Sequence, residues 1–173
     1  MTTLHPSIQR LGLALWLGLV PTATLMAAET LPGQAAPNCT LNALGGGSAT
    51  DLHKYKGKVV YVDFWASWCG PCAQSFPYMN KLHGDLHAKG LEIVGVNLDE
   101  EPAEARAFLA KTPAKFTVLA DASGQCPQDF GVKAMPSSYL IDRQGVVRHV
   151  HLGFKPSESD QLRKQVEALL DSK

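Results

Sequence analysis

Cys69 and Cys72 are the residues of this chain best spaced for chemistry. They lie in Trp68-Cys69-Gly70-Pro71-Cys72, just after the apolar run Val59-Val60-Tyr61-Val62-Asp63-Phe64-Trp65. The run predicts a strand buried between two layers, and the residues after Cys69 predict a helix. A cysteine at such a junction meets unpaired backbone N–H groups and the positive end of the helix dipole, which favour a thiolate. A second cysteine three residues on stands about one turn away, close enough for a small disulfide. The spacing predicts reversible dithiol–disulfide exchange. Cys69 is the expected attacking thiol, its pKa lowered from about 8.5 toward about 7. Cys72 is the expected buried, resolving partner. A purely structural bridge or half a zinc site is the competing reading. A zinc site needs about four ligands, and no second C-x-x-C follows at finger spacing.

Asp63 is the second candidate. It is the lone acid in a strand otherwise apolar on both faces. Burial there predicts a raised pKa, unless the side chain points outward as a solvated strand end. The remaining elements must hold these groups in place. Phe76, Met79, Leu82 and Leu86 recur at helical spacing after the cysteines, with Pro77 inside the helix and Lys89-Gly90 closing it. Leu91–Leu98 reads as a strand, Pro102 opens a helix bearing Ala105, Phe108 and Leu109, and Phe116–Leu119 reads as a short strand. Cys126–Phe130 reads as a short helical piece. Ser137–Ile141 and Val146–Leu152 flank the turn Asp142-Arg143-Gln144-Gly145 and read as a hairpin. Ser157 with Asp160 suggests a capping box for a last helix carrying Leu162, Val166, Leu169 and Leu170. This order demands parallel strands, an antiparallel edge and helices on both faces of a mixed sheet.

The whole chain has 173 residues, 45% hydrophobic and 18% charged, with 16 basic and 16 acidic side chains. It can build a core, and no basic stripe points to nucleic acid. Residues 1–28 read as a signal peptide, with Arg10, the apolar run Leu11–Val20 and small residues at Ala23, Ala27 and Ala28. An uncleaved membrane anchor is the alternative. Residues 29–37 read as a linker and 38–173 as the folded domain. Export would place the protein in an oxidising compartment, with a bacterial periplasm the expected one.

These motifs resemble the thioredoxin superfamily, and more narrowly its periplasmic TlpA/ResA/DsbE branch. The resemblance rests on Gly57-Lys58-Val59-Val60, Asp63 to Cys72, Phe76-Pro77, Val96-Asn97-Leu98-Asp99, Met135-Pro136 and Leu140 to Gly145. It covers the chain from about Ala36 onward. It implies a thioredoxin-like three-layer α/β/α fold with a mixed central sheet, an N-terminal β extension and an insert before the cis-Pro loop. It implies that Pro136 is that cis-proline and that Met135 pairs its backbone with a substrate strand. It also gives Trp68, Gly70 and Pro71 a place at the substrate-facing rim, and Asp63 the role of proton shuttle for Cys72. The branch often carries asparagine there and a glutamate three residues after the second cysteine. Here that later position is Ser75, so the acid stands at the thioredoxin place.

Cys39 and Cys126 remain. Four cysteines allow three pairings. Neither position is a usual cysteine site of the branch, so a mutual bridge is the expectation, worth about 2–4 kcal/mol. Free buried thiols or a redox relay are the alternatives. The pairs His83/His87 and His149/His151 are each half a metal site at most and read as solvated surface histidines. No metal is expected, and no cofactor beyond the Cys69–Cys72 disulfide.

The implied activity is reduction of protein disulfides. The Gly70-Pro71 pair matches reducing thioredoxins, whose potentials lie near about −270 mV rather than −120 mV. Electrons would return from a membrane thiol carrier of the DsbD/CcdA kind. Expected targets are of the cytochrome c maturation or copper-site assembly type, and the expected state is a monomer. A dithiol oxidase running the other way, or a non-catalytic metal-binding module, is the alternative.

Overall fold

One strand, β3 (Val59–Trp65), has all seven residues buried, and the rest of the molecule is laid against it. The computed structural model describes residues 1, 32–44, 48–121 and 123–172. Apart from Met1, the predicted signal peptide lies outside the described residues, as do residues 29–31 of the linker and the three consecutive glycines 45–47.

Seven strands among the described residues form one sheet. The others are β1 (Thr40–Ala43), β2 (Thr50–Asp51), β4 (Leu91–Asn97), β5 (Thr117–Ala120), β6 (Ser137–Ile141) and β7 (Val147–Leu152), in the order β2-β1-β5-β4-β3-β6-β7. β3, β4 and β5 run parallel, while β6 and β7 continue the sheet antiparallel on one side and β1 and β2 on the other. Four α-helices among the described residues cover it: α1 (Gly70–Leu86), α2 (Pro102–Lys111), α3 (Gln125–Phe130) and α4 (Ser159–Asp171). The result is the thioredoxin-like layered α/β fold with a mixed sheet.

Two apolar clusters fill the space on either side of the sheet. Val59, Tyr61 and Trp65 pack with Phe76, Met79, Leu82 and Leu86 of α1, Ala105 of α2 and Val166 of α4. The alternate residues Val60, Val62 and Phe64 pack with Phe130 and Cys126 of α3 and with Leu52 and Tyr55 of a 3-10 turn. The period of two along β3 sorts its side chains between these layers. Trp65 lies 5.0 Å, ring to ring, from both Phe76 and Phe108, which ties α1 and α2 to the sheet. Gly95 makes this possible. A Cβ there would stand 3.2 Å from the Trp65 indole nitrogen and 3.1 Å from Phe116.

One element is silent in the sequence and one expectation fails. β2 and the 3-10 turn Leu52–Tyr55 carry no periodic signal, yet Leu52 and Tyr55 are buried. Ser157 is not a helix cap. Pro156 fixes φ near a helical value, so the chain already turns as a 3-10 helix over Pro156–Glu158, and α4 follows from Ser159 with no side-chain cap. The described part of the linker pairs with the late hairpin: Gly33 N donates to Val147 O at 2.7 Å and Ala36 N to Gly145 O at 2.8 Å.

Candidate active site

Cys69 is the N-cap of α1 in an extended conformation, and its sulfur accepts a hydrogen bond from Cys72 N at 3.2 Å. Sulfur thus occupies the place of a serine or aspartate oxygen at a helix start. Pro71 stands in the first turn, where its missing N–H costs nothing because that donor would have no helical partner. Cys69 and Cys72 are disulfide-bonded. Cys72 is fully buried and Cys69 6% exposed, whereas Gly70 and Pro71 between them face solvent. Trp68, 70% exposed, stands beside them, and an open groove runs from it past Ser67 to Phe108 and Lys111.

The loop before Cys69 is held by Asp99, a residue with no role assigned from sequence. Its buried carboxylate accepts from Ser67 N at 3.0 and 3.1 Å, from Ser67 Oγ at 3.0 Å and from Asn97 Nδ2 at 2.8 Å. The only local hint was the polar pair Asn97 and Asp99 ending an apolar strand.

Met135 and Pro136 approach from the other side. Their peptide bond is cis, Pro136 is buried, and Pro136 O accepts from Gly153 N at 2.8 Å. Met135, half-buried, packs against the cluster that contains both active-site sulfurs.

Beneath them lies Asp63, 1% exposed. It alternates with Tyr61 and Trp65, so its side chain shares their sheet face, the face that also meets Cys72. It is not a solvated strand end. β6 pairs with β3 so that Ser138 stands directly opposite Asp63. Ser138 Oγ donates to Asp63 Oδ1 at 2.6 Å and accepts from Tyr61 OH at 3.0 Å. Asp63 Oδ2 is buried without a partner. Burial pushes the carboxyl from its ordinary 3.8 up to about 7, against the smaller lowering effect of the Ser138 bond. Tyr61 is held well above its ordinary value, mainly by burial and then by Asp63, so it stays a donor. Ser138 and Tyr61 were not singled out in the sequence. The available signal was a pair of hydroxyls, Ser137 and Ser138, just after Pro136.

Ser75, at the branch's glutamate position, is buried and donates to Cys72 O at 2.9 Å. It offers no acid. Cys39 and Cys126 are joined by a disulfide that closes 87 residues of sequence and lies in the opposite apolar cluster. Asp121 organises the approach to it, accepting from Cys126 N at 2.8 Å and from Ser123 N at 2.9 Å. His149 and His151 face a crevice shared with Tyr61 and Ser138, and His151 Nε2 lies 3.2 Å from Glu158. His83 and His87 lie far along α1 from the cysteines.

A site of this kind can exchange disulfides. It presents a sulfur at a helix start, a buried second sulfur, and a buried carboxyl that titrates near neutrality. Comparison with known proteins agrees. The family model described as Redoxin matches residues 31–170. The thiol-disulfide oxidoreductase ResA of Bacillus thuringiensis subsp. konkukian is 34% identical over 138 residues, covering 80% of this chain and 76% of that protein. The thioredoxin-like protein YneN of Bacillus subtilis is 34% identical over 142 residues, covering 80% and 78%. The crystal structure of a candidate thiol:disulfide interchange protein DsbE from Chlorobium tepidum superposes with a TM-score of 0.78 at 47% identity, covering 82% of this chain and 99% of that one.

Proposed function

Since the chain belongs to the Redoxin family and is a thiol-disulfide oxidoreductase of the ResA/DsbE type, we propose that it works as a reductase of protein disulfides outside the cytoplasm. The exchange chemistry is carried by the buried Asp63 carboxyl, pushed to about 7 on the sheet face that meets Cys72, and the reducing direction is supported by the Gly70-Pro71 pair between the cysteines. A buried thiol needs a nearby base to become a nucleophile, and a carboxyl that titrates near neutrality both accepts and returns a proton at working pH.

In the proposed cycle, the Cys69 thiolate attacks one sulfur of a substrate disulfide. A Cys69–substrate disulfide forms, and the other substrate sulfur leaves as a thiolate. Cys72 passes its proton to Asp63 and attacks the Cys69 sulfur. The Cys69–Cys72 bond forms and the second substrate sulfur is released. The substrate gains two electrons and the dithiol loses them, ending in the disulfide-bonded state described here. Trp68, Gly70 and Pro71 form the exposed rim, and the Met135-Pro136 loop offers backbone to an extended substrate segment. No cofactor enters the cycle besides the protein's own disulfide.

The apolar run Leu11–Val20 and the Cys39–Cys126 bridge support an oxidising, periplasmic setting, where reducing equivalents must be supplied. A membrane dithiol carrier of the DsbD/CcdA kind fits that need. Substrates of the cytochrome c maturation or copper-site assembly type, met by a monomer, complete the reading.

A Cys72→Ser variant tests it. Expressed in the periplasm, it accumulates mixed disulfides through Cys69, and mass spectrometry identifies the partners. The wild-type protein is expected to reduce insulin, with a potential of about −270 mV. A value near about −120 mV would make it an oxidase and overturn the direction.

A further inference from the structure

The helix that begins at the cysteines carries a second group of chemistry-bearing side chains near its far end. His83 lies in the last turn of α1, and His87 begins the 3-10 turn that follows. Four residues apart, they project on one side. Their rings lie 4.5 Å apart, centroid to centroid, at 32°. The chain then reverses through Gly90, whose φ of 103° is a left-handed value, and enters β4. That reversal brings Glu92 beside the two imidazoles. One ligand atom from each of His83, His87 and Glu92 lies within 4.8 Å of the others.

We propose that His83, His87 and Glu92 form a binding site for a divalent transition-metal ion of the zinc class, separate from the redox cysteines. Two imidazoles and one carboxylate are the donor set of borderline metals rather than of magnesium or calcium. Bonds of about 2.0–2.1 Å in tetrahedral geometry place donor atoms about 3.3 Å apart. Closing the group needs a shift of roughly an ångström or more, which the exposed His87 and the half-buried His83 supply by rotating about their side-chain bonds. Solvent provides the fourth ligand at this open edge.

Two features prepare the site. His87 Nδ1 lies 3.1 Å from Leu91 O. The same nitrogen lies 3.8 Å from Glu92 Oε2, so Nδ1 is the ring nitrogen turned toward the carboxylate, and a metal held there takes its lone pair with the ring proton on Nε2. The site also lies just beyond the C-terminal end of α1, where the helix dipole favours a cation.

Glu92 is not idle. Lys58 Nζ stands 3.3 Å from its Oε2 and Thr117 Oγ1 3.3 Å from its Oε1. The Lys58 side chain is 47% exposed, so it can swing into water when a metal takes that oxygen. A pair of this kind is a weak competitor. His83 is thirteen residues beyond Gly70, roughly 20 Å along the helix at 1.5 Å per residue, so the ion does not touch the sulfurs.

The test uses tag-free, fully oxidised protein, in which both bridges are closed and no thiolate competes for metal. Zn²⁺ is titrated by calorimetry, with the histidine ring protons followed by NMR. The expected result is one equivalent bound in the micromolar range, with shifts at His83 and His87. His83→Ala and His87→Ala each weaken binding by about tenfold or more. Lys58→Met, which frees Glu92 from its competitor, tightens it. Glu92→Gln weakens it, and should that buried change unfold the protein, the exposed His87→Ala variant still decides. The proposal is overturned by the absence of saturable binding below about 1 mM. It is equally overturned by unchanged affinity in the His83→Ala/His87→Ala double variant, which would put the ion elsewhere, for instance at His149 and His151.

Discussion

The Asp63 carboxyl makes the stability of the oxidised protein depend on pH in a direction opposite to that of ordinary salt-bridged acids. Its folded pKa of about 7 lies above the ordinary 3.8 of an unfolded chain. Below pH 3.8 both states carry the proton, and the stability is fully present. Between 3.8 and about 7 the folded protein keeps the proton and the unfolded chain releases it, so stability falls as pH rises. Above about 7 both states are ionised and the loss is complete. The displacement spans roughly three pH units at about 1.4 kcal/mol each, or about 4 kcal/mol in all. Asp63→Asn replaces the acid by a neutral group of the same shape that still accepts from Ser138. The assay is urea unfolding of both proteins at pH 5, 6, 7 and 8 without reductant. With both bridges closed no thiol titrates, and the histidines, common to both proteins, cancel in the difference. The Asn variant should gain about 3 kcal/mol relative to wild type between pH 5 and pH 8. Parallel curves, constant to within about 0.5 kcal/mol, would refute the reasoning, because they would mean that the carboxyl is already ionised at pH 5 in the folded protein.

Three other perturbations read other parts of the structure. Ser138→Ala removes the 2.6 Å bond that lowers the Asp63 pKa, so the pH midpoint of disulfide exchange should move upward, measured as insulin reduction against pH; an unchanged midpoint separates Asp63 from the rate. The Cys39→Ala/Cys126→Ala double variant should lose about 2–4 kcal/mol in urea unfolding while keeping insulin reduction; loss of turnover in a folded variant would instead reveal a relay. Asp99→Ala strips the acceptor from Ser67 N, Ser67 Oγ and Asn97 Nδ2, so it should cost about 1–3 kcal/mol and speed hydrogen exchange at the Ser67 amide; unchanged exchange would free the loop from Asp99.

By itself the sequence determined the parts of the site that are built locally. Cys69 and Cys72 need only one helical turn to meet, and the apolar run before them marks a buried strand in any context. The helices with clear apolar spacing and the late hairpin were legible for the same reason, since each is written within a dozen or so residues. Where the local pattern was weak it misled: Ser157 looked like a cap, but Pro156 starts the turn first. Tertiary structure alone decided what surrounds the sulfurs. Ser138 lies 75 residues from Asp63, and only the β3–β6 register sets them opposite each other. That register is fixed by the packing of two whole strands, so neither residue announces the other. Asp99 reaches Ser67 across 32 residues because parallel β3 and β4 end side by side. Glu92 joins His83 and His87 because the chain reverses at Gly90. Spacing told which residues could react; burial and register decided which protons they hold.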